Sequence, residues 1–300
     1  MKIAVLMSSY NGEKYIHEQI DSIVNQEGNF DLSIFVRDDG STDGTISILS
    51  TYQDDGNLTF YKGKNLGPAL SFLNLLSECR GYDYYAFSDQ DDYWEKDKIK
   101  RAIKVIHNDF PIVYFSNALL VDENLNDLGR NVYKHVPRTD FNTLCCAGGI
   151  LGCTMVINSQ LAKYIQSHRL PSQIVMHDFY ICELCLAIGG KIIYDSSSTV
   201  KYRQHSTNVV GVSKGKIEAI SGIIHDITHA SIVSISDQAK EILQDYSEDI
   251  QDDKVKWLNN IMTYRDSIPN RIKLGFSRRT RFVSFNNGVK NRMSILFGNR

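Results

Sequence analysis

The first hundred residues alternate short, wholly apolar runs with amphipathic stretches, and few architectures accept that rhythm. Ile3–Met7 is uninterrupted apolar sequence, suited to a strand buried on both faces. The segment Glu13–Gln26 then places Ile16, Ile20, Ile23 and Val24 at helical spacing. Leu32–Val36 reads as a second strand and Thr45–Tyr52 as a second helix, with Ser41, Thr42 and Asp43 as candidate caps. A short strand at Leu58–Tyr61 precedes a helix at Pro68–Cys79, whose proline suits a first turn. Tyr84–Ser88 and Lys96–His107 complete a fourth pair. Strand and helix in this alternation imply an α/β fold, a mainly parallel sheet with helices on both faces.

The middle of the chain is less regular. Strands are expected at Ile112–Phe115, Ala118–Val121, the end of Gly148–Asn158, Lys191–Tyr194 and Thr199–Arg203, with helices at Ser159–Ser167 and His177–Ile188. From about Lys214 the pattern is helical and polar, and a boundary is expected near Val212–Lys216, where Gly, Ser and Lys cluster. The expected organisation is an α/β domain over 1–214, with halves of about 1–110 and 111–214, followed by a helical extension over 215–300.

Charge is unevenly distributed. Between Ser267 and Arg300 lie Arg271, Lys273, Arg278, Arg279, Arg281, Lys290, Arg292 and Arg300 without one acid, although the whole chain carries −2. Interleaved with Phe276, Phe282, Phe285 and Phe297, these cations suit peripheral contact with an anionic membrane; packing on the acidic body or on a partner enzyme is the competing reading. No nucleic-acid partner is expected. The short apolar start reads as a buried strand, not a signal peptide, and no stretch approaches the ~18 apolar residues of a membrane span. Cys79, Cys145, Cys146, Cys153, Cys182 and Cys185 form no even framework, so reduced thiols in a cytoplasmic setting are expected. The Cys182-x-x-Cys185 pair falls within a helical apolar run and has no second pair to complete a zinc site.

Ligands of parallel sheets bind beyond the carboxyl ends of the strands. There the sequence places Ser8–Asn11, Asp38–Asp39, Asn65–Gly67 and Asp89–Asp92. Asp89, Asp91 and Asp92 crowd three carboxylates behind one buried strand, and such charges repel unless a cation compensates them. A hard divalent ion, Mg²⁺ or Mn²⁺, with oxygen ligands is one answer; a solvated turn that caps the next helix is the other. Asp38 and Asp39, in Asp-Asp-Gly-Ser-Thr-Asp-Gly, either accept from a ribose or base, or close a turn. Tyr10 is placed to stack on a nucleobase. No G-x-G-x-x-G or Walker loop occurs.

Together these stretches resemble family 2 glycosyltransferases of GT-A fold, in particular their bacterial rhamnosyltransferase-like branch. The resemblance rests on SSYNGEKYIHEQIDSIVNQ, RDDGSTDGT, KNLGPALSF, FSDQDDYWEKDK, GCTMVIN, HDFYI and YRQHSTNVVG, in the family's order over roughly residues 1–212. It implies a nucleotide-sugar half at about 1–110 and an acceptor half at about 111–214. Ser8, Tyr10, Asp38, Asp39 and Asn65 then line the nucleotide. Asp89-Gln90-Asp91 matches the family's D-x-D, with Asp91 on the metal and Asp89 nearer the sugar. Asp178 matches the base that deprotonates the acceptor, although His177 replaces the family's usual Glu. His205 matches a position near the diphosphate or metal, and a structural role for it is the alternative.

The implied activity is inverting, metal-dependent transfer of a sugar, with rhamnose from dTDP-rhamnose as the leading donor. The acceptor would be a saccharide or a lipid-linked saccharide in cell-surface polysaccharide synthesis, reached at the inner face of the membrane. A UDP-hexose donor is the alternative within the family. A non-catalytic nucleotide-sugar-binding scaffold and a nucleotidyltransferase are the alternatives outside it. The intact Asp91 and Asp178 argue against the scaffold. The lack of a Gly-rich basic phosphate loop at Ser8–Lys14 argues against the nucleotidyltransferase.

Overall fold

A computed structural model describes residues 1–205, 233–280 and 285–300. The boundary expected at Val212–Lys216, and the end of the YRQHSTNVVG stretch, lie outside the described residues. The chain divides into two compact units. One comprises Met1–Lys134, Leu151–Leu170 and Gly190–Val209; the other His135–Ile150, Pro171–Gly189 and Val210–Arg300.

The first unit is built on one nine-stranded sheet in the order β3-β2-β1-β4-β8-β6-β9-β5, with β7 beside β6. Its nucleus is parallel: β1 (Lys2–Ser9) lies between β2 (Asp31–Asp38) and β4 (Tyr84–Ser88), and β2 pairs with β3 (Thr59–Lys62). Ile3 through Met7 are fully buried, as their continuous apolar run requires. Burying such a side chain contributes about 1.5–3 kcal/mol, so this strand anchors the unit. The helices α1 (Ile16–Val24), α2 (Thr45–Asp54), α3 (Gly67–Glu78) and α4 (Lys98–Val105) follow the strands in alternation. Four parallel strands therefore direct their carboxyl ends, and the polar loops after them, to one edge.

Beyond β4 the sheet turns mixed. The short β8 (Val156–Asn158) is antiparallel to both β4 and β6 (Ile112–Val121), while β6 runs parallel to β9 (Lys191–Arg203). The sequence pattern splits β6 and β9 into two strands each; both are continuous. Their register shifts between Ser116, opposite Asp195, and Asn117, opposite Ser198, so β9 absorbs extra residues in a bulge. That bulge accounts for the polar break in each pattern. Ser116 Oγ and Thr199 Oγ1 lie 2.6 Å apart, and the Asn117 side chain bonds the backbone of Tyr133 at both ends. Two further strands, β5 (Tyr93–Trp94) and β7 (Asp127–Asn131), escape the sequence reading; the latter is polar and mostly exposed. The unit's last helix is α6 (Ser159–Gln166).

The second unit is helical: α5 (Phe141–Ala147), α7 (His177–Ala187), α8 (Ile235–Tyr246), α9 (Asp252–Met262), α10 (Ile268–Gly275) and α11 (Phe285–Phe297). The buried α7 is covered on nearly all sides, and Cys182 and Cys185 lie within it as buried thiols. α8 opens on a capping box in which Ser234 and Asp237 satisfy each other's backbone N–H. The mixed α/β sheet and the helical C-terminal region agree with the expected fold class. Among the described residues no helix is long and apolar enough to cross a membrane.

Candidate active site

Three loops at the carboxyl edge of the parallel strands are woven together by side chains. Asn11, in a left-handed conformation (φ 49°), accepts from Thr42 N at 2.8 Å, while its own N–H donates to Ser41 Oγ at 2.9 Å. Gly12 N donates to Thr45 Oγ1, and Gly44 N to Glu13. Asp43 accepts from Thr45 N and Oγ1, so of the three candidates Ser41, Thr42 and Asp43 it is the one that serves the start of α2. Those two hydroxyl residues are spent on Asp38 and Asn11. Gln90 spans from the third loop to the first. Its Nε2 donates to Tyr10 O at 3.0 Å, and its Oε1 accepts from Tyr10 N at 2.9 Å. A Cβ on Gly12 would lie 2.2 Å from Gln90 Oε1, so a side chain at residue 12 would displace the Gln90 amide from this bridge. Tyr10 itself points out, 49% exposed.

Asp38 and Asp39 are buried and fully engaged. Asp38 accepts from Ser9 Oγ, Gly40 N, Ser41 N and Ser41 Oγ. Asp39 pairs with buried Arg37 and accepts from Leu66 N and Gly67 N, at the start of α3. Arg37 also reaches Asn74 Oδ1 at 3.1 Å, Ser71 Oγ at 3.1 Å and Lys64 O at 2.8 Å. Asn65 is exposed on the same loop, with its side chain accepting from Gly67 N. Ser8 Oγ lies 2.6 Å from Ser71 Oγ. Ser8, Tyr10, Asp38, Asp39 and Asn65 thus share one edge of the sheet, held by Arg37, which the sequence reading passed over. A lone arginine ending an apolar strand was the available signal.

The carboxylates after β4 differ. Asp89 and Asp91 are partly exposed, whereas Asp92 is wholly buried. Asp92 Oδ1 accepts from Arg203 N at 3.0 Å, but Oδ2 is sealed from solvent with no nitrogen or oxygen partner. The Cys153 thiol, a weak donor, stands beside it. Burial first, and then the charges of Asp91 and Asp89, push the Asp92 carboxyl well above its usual range. Oxygen atoms of Asp89 and Asp92 and the sulfur of Cys153 all lie within 4.8 Å of one another. Burial and the neighbouring carboxylates keep Cys153 a thiol, which leaves the hard oxygen donors for a cation. His205 Nε2 is 3.0 Å from Asp91 Oδ2, so two residues linked only by resemblance are in contact.

Arg203 fixes this loop from behind. It is 1% exposed, donates to Asp91 O at 2.8 Å, and also reaches Glu123 O and Glu18. Its guanidinium lies 4.4 Å from the Tyr15 ring centroid. Beneath the loop, Lys98 is fully buried over the Trp94 ring and donates to Thr154 O at 3.1 Å. Burial lowers its amine to about 7, against the opposing pull of Cys153 and Asp92.

In the helical unit, Asp178 occupies the first turn of α7. The N-cap is Met176, without a side-chain cap, and Asp178 Oδ1 accepts from Phe179 N at 2.7 Å. Asp178 is partly exposed, while His177 is buried and burial lowers its imidazole to about 3. The loop before α7 is held by α8. Glu241 accepts from Ser172 N, Ser172 Oγ and Gln173 N, and Gln238 accepts from Val175 N at 3.0 Å. These two supports carried no sequence signal, since they are polar residues on an ordinary amphipathic helix.

Comparison with known proteins bears on family and fold. Residues 4–160 match the family described as Glycosyl transferase family 2. The dTDP-rhamnosyl transferase RfbG of Shigella flexneri is 34% identical over 220 residues, which cover 69% of this chain and 74% of that protein. Among solved structures, S. aureus TarS in complex with UDP-GlcNAc superposes with a TM-score of 0.55 at 18% identity, covering 99% of this chain and 90% of that one. The mannosyltransferase PcManGT from Pyrobaculum calidifontis, in complex with GDP-Man and Mn²⁺, gives 0.55 at 14% identity, covering 99% and 85%. At these identities the two structures speak for the fold, which is of the GT-A type. The sequence match over more than half the chain speaks for descent: the protein is a member of glycosyl transferase family 2, and a transferase of sugars.

Proposed function

We propose that the protein moves rhamnose from dTDP-rhamnose to a saccharide or lipid-linked acceptor, with inversion and with a divalent cation. The observation that carries the metal is the solvent-sealed Oδ2 of Asp92, without a nitrogen or oxygen partner, clustered with the Asp89 carboxylate and the Cys153 thiol and close to the charge of Asp91. Such an arrangement is costly unless a positive charge joins it. Asp91 and His205 are the residues that would hold the ion, with Asp89 turned to the sugar nucleotide and Asp92 setting the charge behind them. When bound, Mg²⁺ or Mn²⁺ supplies charge neutralisation at the diphosphate leaving group. The donor reading is supported by the likeness to RfbG.

The residues of the chain divide the remaining work. Tyr10 presents an exposed ring on which the base stacks, and Ser8, Asn65 and the loops tied by Asp38 and Asp39 wall the pocket. The acceptors of Asp38 and Asp39 are already spent, so direct contact of either with base or ribose exchanges one of those loop bonds. The Asp178 carboxylate takes the proton of the acceptor hydroxyl as that oxygen attacks the anomeric carbon. The bond from that carbon to the diphosphate oxygen breaks, and the nucleoside diphosphate departs with the electron pair. One displacement inverts the configuration. The first turn of a helix favours the ionised form of Asp178, which is the form a base requires.

Asp178→Asn tests the assignment, because Asn retains the acceptor for Phe179 N but not the proton affinity. Turnover should fall on the order of 10²-fold or more, with melting temperature and donor binding unchanged. Wild-type turnover in the variant would refute the base. A panel of dTDP- and UDP-sugars tests the donor: transfer from a UDP-hexose in preference to dTDP-rhamnose overturns that part, and no transfer from any donor favours the scaffold reading.

A further inference from the structure

We propose that α9, α10 and α11 form a seat for an anionic phospholipid bilayer, with a phosphate-binding cavity beside an apolar wedge. The wedge lies on α10 and its C-cap. Ile268, Ile272 and Phe276 recur every four residues, hence on one face, and are 69%, 49% and 64% exposed. α11 adds Val289 and Phe297, eight residues apart and also exposed. α10 and α11 approach closely at Gly275, where a Cβ would lie 3.2 Å from the Leu296 side chain.

The cavity, of about 540 Å³, opens between α9 and the stretch from α10 to Arg279. Its wall carries the cations Lys256, Lys273 and Arg279, the indole of Trp257, several amides and hydroxyls, and no carboxylate. Lys273 Nζ donates to Asn260 Oδ1 at 2.9 Å, and Arg279 lies over the Trp257 ring at 5.8 Å. None of the three cations has a carboxylate partner among the described residues. Hydrogen-bond donors backed by unpaired positive charge suit a phosphate oxygen.

The basic tail as a whole is not the device. Arg292 donates to Gly275 O, Arg300 to Cys146 O and Ala147 O, and Arg271 to Arg265 O, so these three tie the unit together. Lys273, Arg278 and Arg279 remain exposed, beside the apolar stripe. A bilayer is the occupant that satisfies both halves at once. Its phosphates meet the acid-free cavity, and its acyl region takes Ile272 and Phe276. This inference is separate from the donor and base assignments, which concern other residues.

The test is flotation of the full-length protein with vesicles of phosphatidylcholine alone or mixed with phosphatidylglycerol, at low and high salt. Binding should require phosphatidylglycerol and weaken with salt. Lys273→Glu with Arg279→Glu should lower vesicle affinity by roughly 30-fold or more, since each cation contributes about five-fold. Ile272→Asp with Phe276→Asp should abolish binding; Phe276→Ser should weaken it, which guards against a general charge effect. Melting temperature, and transfer to a water-soluble acceptor, should be unchanged in all. Absent flotation, equal flotation with neutral vesicles, or binding of free glycerol phosphate without vesicle binding would each overturn the proposal.

Discussion

Two aspartate pairs follow two parallel strands of the same sheet, and they have opposite fates. Asp38 and Asp39, after β2, accept from four and three groups, with buried Arg37 supplying the counter-charge. Asp91 and Asp92, after β4, have Asp89 as a further negative neighbour, and Asp92 keeps one oxygen unpaired. Similar sequence at equivalent topological positions thus gives one pair that closes its own charge balance and one that leaves it open. An open balance at a sheet's carboxyl edge is the mark of a site that expects a ligand. A closed one is the mark of the mount that carries it.

The largest effect should come from the open pair. Asp91→Asn should lower turnover on the order of 10³-fold with the fold intact, EDTA should inactivate the wild type, and Mg²⁺ or Mn²⁺ should restore it. Full activity in chelator would sink the metal assignment and remove the contrast. Next, Asp39→Asn leaves Arg37 buried without its counter-ion and should cost about 3–5 kcal/mol in denaturant unfolding. An Asp39→Asn protein as stable as wild type but unable to bind donor would mean that this pair, too, is a ligand site. Third, Asp92→Asn removes the buried carboxyl that its surroundings hold above the usual range, while keeping an acceptor for Arg203 N. In chelator it should melt no lower than wild type, and the stabilisation that Mn²⁺ gives should shrink by about 1 kcal/mol or more.

The smallest effect concerns two buried groups on α7, His177 and Glu183. Burial lowers His177 to about 3 and raises Glu183 to about 7. Between pH 3 and 6.5 the unfolded imidazole binds the extra proton, so its contribution to stability is lost as pH falls through that window. Glu183 acts in the other sense, because its folded form holds the proton between pH 4.5 and 7 and loses stability as pH rises. The two nearly cancel from pH 4.5 to 6.5. His177→Gln should uncover the Glu183 limb, so that melting temperature rises more steeply on acidification from pH 7 to 4.5 than it does in the wild type. A variant profile no steeper than that of the wild type would show that His177 is not shifted as burial requires.

The parallel nucleus was legible because β1, β2 and β4 are near-continuous apolar runs, the pattern only a strand covered on both faces can hold. β6 and β9 were read in pieces, since their bulge places Ser116, Asn117 and Asp195–Ser198 inside the strands. α5 escaped because Phe141–Ala147 is too short to show a period, and its one cue is Asp140, which caps it through Thr143. Of the site, the carboxylates and Tyr10 were visible as polar residues directly after strands. Arg37, Arg203, Lys98 and Cys153 were not. Each acts in part through partners that the fold brings in from far along the chain, up to 185 residues away for Arg203 and Glu18, and no local pattern records such partners.

The Gln90 bridge has a consequence for how such a protein changes its preferences. Gln90 grips the main chain of Tyr10 through both amide atoms and leaves the ring untouched. The side chain at position 10 is therefore a replaceable fitting on a fixed bracket. Exchanging it alters the exposed face, which the proposed function assigns to a base, without disturbing the joint between the first and third loops. Residues 12 and 90 have no such licence, because a side chain at 12 would push the Gln90 amide off the Tyr10 backbone. In a library built to redirect nucleotide choice, variation belongs at position 10, with Gly12 and Gln90 held constant as the part that variation depends on.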